Sequence, residues 1–255
     1  MKVVILAGGL GTRLREETEI RPKPMVEIGG LPVIWHIMTN YSNYSHKEFI
    51  ICAGYKSEVI KNWFCNMRVN KSDIKIKFNS QQSIEFLDEN PEDGWSVLIS
   101  NTGAETQTGG RLFGVQKYVG KETFLCTYGD GIGNIDLEEL LKFHKSHGKI
   151  ATVTTIKPKT RFGVLDMVGD KVFSFDEKPT TDTWVNAGYF VFEPEVFDYL
   201  NSNSILELDP LMNLASNGEL MAYRHEGFWH SMDTYRDKLV LEDLWNSNKP
   251  PWLFN

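Results

Sequence analysis

Residues 1–25 read MKVVILAGGLGTRLREETEIRPKPM, and the opening of that stretch decides the fold. VVILA (3–7) is a short apolar run, and Gly8, Gly9 and Gly11 follow it at once. An apolar run of that length ending in glycine predicts a buried strand that leads into a turn. A glycine turn after a strand offers backbone N–H groups to an anion such as phosphate. Arg13, Arg21 and Lys23 come next. A guanidinium forks to phosphate oxygens, and an ammonium adds a compact charge. Pro22 and Pro24 bracket Lys23, which predicts a stiff, extended segment beneath the lysine. Two better-known nucleotide loops are excluded. No Gly-Lys-Ser or Gly-Lys-Thr follows, and Leu14 stands where the dinucleotide fingerprint needs its third glycine. A stiff cation beside a glycine loop suits a triphosphate, whereas the glycines alone also fit a plain strand-to-helix turn.

Working outward, strand and helix signals alternate. LPVIWHIMTNY (31–41) predicts a helix, EFIICAG (48–54) a strand and KSEVIKNWF (56–64) a helix. IKIKF (74–78) and SVLIS (96–100) predict strands joined by a polar loop over 80–94. GRLFGVQKYV (110–119) predicts a helix, and TFLCTYGD (123–130) a near-continuous apolar, hence central, strand. Asp136 as N-cap, Glu139 three residues later and Gly148 as stop delimit the next helix. Past residue 150 strands dominate: IATVTTI (150–156), FGVLDM (162–167), KVFSF (171–175), VNAGYFVF (185–192) and LMAYR (220–224). TYRDKLVLEDLWNSN (234–248) closes the chain as an amphipathic helix. The alternation predicts an α/β fold, a mixed, mainly parallel central sheet flanked by helices, with a β-rich second half. No linker divides the 255 residues, so one domain over 1–255 is expected.

Composition narrows the class. A net charge of −7 argues against a broad nucleic-acid or anionic-membrane surface, so a nucleotide would need a local basic pocket. Cys52, Cys65 and Cys126 lack metal-ligand spacing, and two of them lie in apolar runs where free buried thiols are common. A reducing cytoplasm is expected. The N-terminal apolar stretch is too short for a secretory signal, and no run approaches the roughly 18 apolar residues of a membrane span.

LAGGLGTRL (6–14) followed by RPKPMVEIGG (21–30) resembles the signature of the sugar-nucleotide pyrophosphorylases, the nucleoside-triphosphate:sugar-1-phosphate nucleotidyltransferases. REET (15–18) stands where most relatives carry a proline-leucine-threonine run, and it resembles the cytidylyl branch. TGGRL (108–112), TYGDG (127–131), RFGVLD (161–166), FDEKP (175–179), NAGYFVF (186–192) and GFWHSMDTYRDK (227–238) agree in order. The resemblance implies a Rossmann-like nucleotide-diphospho-sugar transferase fold. Its nucleotide-binding half would be 1–150 and its sugar-phosphate-binding half, with the C-terminal helix, 151–255. It implies transfer of a cytidylyl group from CTP to α-D-glucose 1-phosphate, giving CDP-glucose and pyrophosphate with Mg2+. The product would feed the 3,6-dideoxyhexoses of bacterial surface polysaccharide. The chain would be a homo-oligomer with no nucleic-acid or membrane partner.

The resemblance also implies site residues. Arg13, Lys23, Asp130 and Asp233 would be catalytic, with Asp130 and Asp233 holding the magnesium ion. Leu6, Ala7, Gly8, Gly9, Gly11, Thr12, Tyr128 and Gly129 would bind substrate, and Gly110 and Arg111 the nucleotide. Lys178 would meet the sugar phosphate, and Glu177, Asn186 and Gly188 the sugar. Ala187 stands where close relatives often carry glycine.

Unaided chemistry bears on several of these. Asp130 ends an apolar strand between two glycines, and ligands of open parallel sheets sit beyond carboxyl strand ends. A magnesium ligand is therefore preferred there over a plain Asp-Gly turn. Asp233 read alone is the N-cap region of the last helix, which is compatible with ligation. Arg111 also fits a solvated helix start, and a lone EKP is more often a surface turn. Base selection is expected at TGGRL, because cytosine offers an amine where uracil offers a carbonyl and a backbone acceptor separates the two. His144 and His147 lack a third ligand nearby, so a metal site is not expected. Trp35, Trp63, Trp184 and Trp245 are expected to pack the core. The rival readings are a sibling enzyme using UTP, dTTP or another sugar 1-phosphate, and a non-catalytic nucleotide-sugar sensor.

Overall fold

The computed structural model describes residues 1–78, 82–89, 92–159, 163–177, 180–247 and 249–253. Its centre is a sheet of seven strands: β1 Lys2–Ala7, β2 Glu48–Ala53, β3 Ser96–Asn101, β4 Phe124–Tyr128, β5 Ala151–Ile156, β6 Val185–Phe192 and β7 Leu220–Arg224. They lie in the order β7-β5-β6-β4-β1-β2-β3. β1 runs parallel to β2 and β4, β2 to β3, and β5 to β7. β6 alone opposes its neighbours, β5 and β4. The mixed, mainly parallel sheet expected from the alternation is present, and both halves of the chain contribute to it.

The apolar runs form strands because the sheet is covered on both faces. Val3, Ile5, Ile51 and Leu125 point into one core, and Val4, Leu6, Ile50 and Cys126 into the other. Such two-sided burial produces continuous apolar runs in place of alternation. TFLCTYGD behaves as expected, since β4 occupies the middle of the sheet. The covering helices are α1 Val33–Asn43, α2 Ser57–Lys71, α3 Thr108–Gly114, α4 Leu137–His147, α5 Asp209–Ser216 and α6 Tyr235–Asn246. Asp136 caps α4 by accepting the Glu139 N–H at 3.0 Å, and Gly148 ends it at φ 63°.

Three expectations are corrected. The helix read over 110–119 breaks at Val115 (φ −104°, ψ 3°), whose side chain is fully buried in the second core. Part of the expected loop 80–94 is strand: Ser83–Phe86 pairs with Ile74–Lys77 in a separate ribbon, outside the main sheet. Its cross-strand pairs Ile76–Ile84 and Ile74–Phe86 supply the apolar contacts that a polar loop lacks. Of the four tryptophans, Trp63 and Trp245 pack against the core. Trp35 sets its ring edge-on to the buried His36 while donating to Glu92 at 2.7 Å, and Trp184 lies under Lys157 and Arg224.

The strand order places the site. From β1 the chain proceeds to β2 and β3 on one side, then crosses to β4 on the other. A crevice opens where the order reverses, beyond the carboxyl ends of β1 and β4. The glycine loop leaves β1 at that point, and Gly129 and Asp130 leave β4.

Candidate active site

Two acids far apart in sequence meet through one small ribbon. Gly131–Gly133 pairs antiparallel with Trp229–Ser231, Ser231 opposite Gly131, and the Met232 N–H donates to the Asp130 carbonyl at 2.9 Å. Asp130 therefore enters the ribbon beside the point where Asp233 leaves it. Lys23 Nζ lies between them, 2.6 Å from Asp130 Oδ2 and 2.7 Å from Asp233 Oδ1. Arg13 Nη2 lies 3.0 Å from the same Asp233 oxygen, its side chain 69% exposed. Ser231 Oγ donates to the other Asp233 oxygen at 3.1 Å.

The charges reinforce one another. Burial alone would lower the Lys23 pKa, but the Asp130 and Asp233 carboxylates outweigh it and hold the ammonium above its ordinary value. Burial likewise would raise Asp233, but Lys23, then Arg13, bring it below the usual carboxylate range. The four proposed catalytic residues are thus together.

The acids suit a magnesium ion. Both address a single cation, and among the described residues no third His, Cys, Asp or Glu joins them. Mg2+ binds through one or two carboxylates, keeping waters and taking substrate phosphates for its other positions. The donor set fits.

Lys23 is not on an extended segment. Pro22 is extended (φ −70°, ψ 151°), and Lys23 opens a single 3-10 turn, Lys23–Met25, with Pro24 inside it. Gly11, at φ 63°, admits Thr18 and the Lys23 stem where a Cβ would lie 2.8 and 3.1 Å from them. Arg21 does not reach the crevice, because it pairs with Glu27 at 2.8 Å and with Glu17.

The crevice is a cleft of about 450 Å³, comfortable for a nucleotide. Leu6, Ala7, Gly8, Gly9, Gly11, Thr12, Tyr128 and Gly129 all line it, together with Arg13, Lys23 and Asp130. Arg111 lines it too, but as a brace. Its Nη1 donates to Thr102 Oγ1 and the Gly103 carbonyl at 2.8 and 2.7 Å, and its Nη2 to the Gly8 and Ala104 carbonyls at 2.8 and 3.2 Å. The four terminal N–H groups are engaged, so the guanidinium is neither a solvated helix start nor an open fork for a ligand. Gly110 lies a layer back: its N–H donates to Ser204, and a Cβ there would stand 2.3 Å from the Ser202 carbonyl.

The residues expected to meet the sugar and its phosphate are Lys178, Glu177, Asn186 and Gly188. Lys178 lies outside the described residues, and Glu177 is exposed just after the strand Lys171–Asp176. Asn186 donates to Tyr128 Oη at 3.3 Å and accepts the Gly188 N–H at 2.7 Å. Gly188 (φ 81°) sits in a bulge of β6, where a Cβ would meet the Tyr128 ring at 2.4 Å. Ala187 is buried, and its carbonyl accepts the Trp229 indole N–H at 2.8 Å.

Of the remaining wall, Thr108 belongs to TGGRL, where base selection is expected, and Pro24 to RPKPM, whereas Thr106, Gln107 and Glu207 lie outside the segments read as chemistry. Thr106, Gln107, Thr108, Pro24 and Glu207 line the cleft. Glu207 accepts from Thr108 Oγ1 at 2.6 Å and from Tyr128 Oη. Burial, then the Glu207 charge, push the Tyr128 phenol well above its ordinary pKa. ILELDP (205–210) gives no sequence signal for this role, since it reads as an ordinary helix start. His144 and His147 both meet Thr152 Oγ1 at 2.8 Å, and His144 also meets Glu193, forming a polar cluster away from the cleft.

Comparison with known proteins adds family and fold. Residues 2–230 match the nucleotidyl transferase family. The glucose-1-phosphate cytidylyltransferases of Salmonella typhi and Salmonella typhimurium (strain LT2) are each 49% identical over 255 residues, covering 99% of this chain and 98% of the relative. A crystal structure of UDP-glucose pyrophosphorylase superposes with a TM-score of 0.71 at 15% identity, over 97% of this chain and 98% of its own, which speaks to the fold alone.

Proposed function

The chain belongs to the nucleotidyl transferase family, and on that premise we propose that it transfers the cytidylyl group of CTP to glucose 1-phosphate, giving CDP-glucose and pyrophosphate. The observation that carries the chemistry is the Lys23 ammonium held between Asp130 and Asp233 at the switch point of the sheet. The choice of CTP and glucose follows the Salmonella relatives, which match along nearly the whole chain.

A sugar-phosphate oxygen attacks the α-phosphorus in line. The new P–O bond forms as the bond to the β-phosphate oxygen breaks, and pyrophosphate leaves. The attacking phosphate is already ionised, so no residue has to remove its proton and no covalent enzyme intermediate is required. The protein contributes alignment and charge. Lys23 and Arg13 draw the triphosphate to the glycine loop, whose Gly8 carbonyl is tied back by Arg111. Asn186 and Glu177 would serve the sugar, and Lys178 its phosphate. Asp130 and Asp233 would hold Mg2+, which when bound neutralises phosphate oxygens and the charge developing on the leaving group.

We propose a homo-oligomer acting in the cytoplasm. Leu165, Val168, Phe173 and Phe175 of the ribbon Val164–Val168/Lys171–Asp176 are 48–71% exposed, an apolar surface suited to a second copy. The free buried thiols Cys52 and Cys126 suit reducing conditions. No helix of the described residues is long and apolar enough to cross a membrane.

The test is pyrophosphate release from CTP, UTP and dTTP with glucose 1-phosphate, with the product identified. CTP is expected to dominate; turnover confined to UTP or dTTP makes the chain a sibling enzyme, and binding without turnover makes it a sensor. Chelation of divalent ions is expected to stop release and added Mg2+ to restore it, whereas Asp130→Asn is expected to blunt that restoration. Light scattering reads the assembly, and a monomer at assay concentration overturns that part.

A further inference from the structure

The cleft has two chemically different walls. One holds the cations Lys23 and Arg13 with Asp130. The other, formed by Thr106, Gln107, Thr108 and Glu207, contains a second carboxylate. Asp130 is matched by Lys23 at 2.6 Å. Among the described residues Glu207 meets no cation; its partners are two hydroxyls.

Those hydroxyls are held with their protons toward it. Thr108 Oγ1 receives the Leu206 N–H at 2.9 Å and donates to Glu207 at 2.6 Å. Tyr128 Oη receives the Asn186 amide at 3.3 Å and donates to the other Glu207 oxygen. The carboxylate is fixed in place, uses one lone pair on each oxygen, and keeps others for a ligand. Beside a polyphosphate site an unmatched carboxylate repels its ligand unless a donor on that ligand faces it.

Resting on the cytidylyl-transfer reading, we infer that Glu207 determines base choice by accepting the exocyclic amine of cytosine. Uracil and thymine put a carbonyl oxygen in the same position, and two acceptors repel. The TGGRL segment contributes differently from the sequence expectation: Arg111 is fully engaged and Gly110 faces away, while Thr108 orients the acceptor.

The test measures kcat/KM for CTP, UTP and dCTP on the full chain with Mg2+ and glucose 1-phosphate, in wild type and Glu207→Gln. A glutamine offers a carbonyl for the amine or, turned over, an amide for the uracil oxygen. The CTP:UTP ratio is expected to fall about a hundredfold, the worth of one charge-assisted hydrogen bond, with CTP:dCTP unchanged. Equal losses on both triphosphates would make Glu207 a brace only and overturn the inference. A changed CTP:dCTP ratio would move its role to the ribose, and a raised KM for glucose 1-phosphate alone to the sugar, either of which also overturns it. Wild type that makes nothing from CTP sinks the parent reading and is distinguished by being seen before any substitution. Should Glu207→Gln fail to fold, Thr108→Val frees the carboxylate from one of its two holders and is expected to lower the same ratio; an unchanged ratio there counts against the inference.

Discussion

Lys23 neutralises two carboxylates that would otherwise repel each other and the incoming triphosphate. Its side chain is 11% exposed, so water contributes little to that screening. Lys23→Ala leaves Asp233 with Arg13 and takes from Asp130 its ion-pair partner among the described residues. The expected loss in kcat/KM for CTP is about 100- to 1000-fold, roughly 3–4 kcal/mol by analogy with a lost oxyanion donor, read from pyrophosphate release. Wild-type turnover in that variant would sink the role given to the ammonium. Arg111 makes the complementary case. Lysine keeps the charge but lacks the planar fork, so Arg111→Lys is expected to cost about 2 kcal/mol in urea unfolding. Side-chain identity was readable in both residues, but the partners were not: Lys23 reads toward a triphosphate, and the two carboxylates that hold it come from 107 and 210 residues away. The acceptors of Arg111 belong to Gly8, Thr102, Gly103 and Ala104, and nothing in a linear sequence ties those carbonyls to one guanidinium.

At the scale of elements, legibility followed burial pattern and caps. The seven sheet strands were visible as apolar runs, continuous in the five inner strands because both of their faces are covered, and α4 was visible through Asp136 and Gly148. The ribbon that joins Asp130 to Asp233 was not. Gly131–Gly133 and Trp229–Ser231 are three residues each, too short for any periodicity. Glu207 was hidden for a related reason: its contacts with Thr108 and Tyr128 are set by how α5 packs beside the sheet, not by local pattern. The start of α6 links an element to the site. Thr234 accepts the Asp237 N–H at 3.3 Å, Asp237 Oδ2 accepts the Thr234 N–H at 2.8 Å, and the same oxygen accepts the Asp233 N–H at 3.2 Å. The capping box therefore positions the second acid. Thr234→Ala is expected to cost about 1 kcal/mol in stability and to reduce turnover as well, read by denaturant midpoint and steady-state rate. A stability loss with unchanged kcat would separate the cap from the acid.

Over the whole molecule, the end of the chain returns to the first helix and makes stability depend on acidity. Trp252 is fully buried, and its indole N–H donates to His36 Nδ1 at 3.3 Å. The opposite nitrogen, His36 Nε2, donates to the Ile28 carbonyl at 2.9 Å. Trp35, Trp245 and Trp252 pack their rings edge-on around the imidazole. Nδ1 must then carry a lone pair, and burial accordingly lowers the His36 pKa to about 4. In the unfolded chain an ordinary histidine titrates near 6.5. Between those two values the unfolded chain binds a proton that the folded chain refuses, so stability rises with pH across the window and is lost as pH falls. From pH 7 to pH 4 this one group should remove about 3 kcal/mol, the product of its shift and the worth of a pKa unit. His36→Gln removes the titration, so the slope of unfolding free energy against pH between 4 and 6.5 should be shallower in the variant than in wild type. Parallel curves for the two proteins would show that His36 does not carry the acid sensitivity. Because the same residue fastens the tail to α1, the variant should also lie below wild type at pH 7, an offset that is separate from the slope and measured in the same titration.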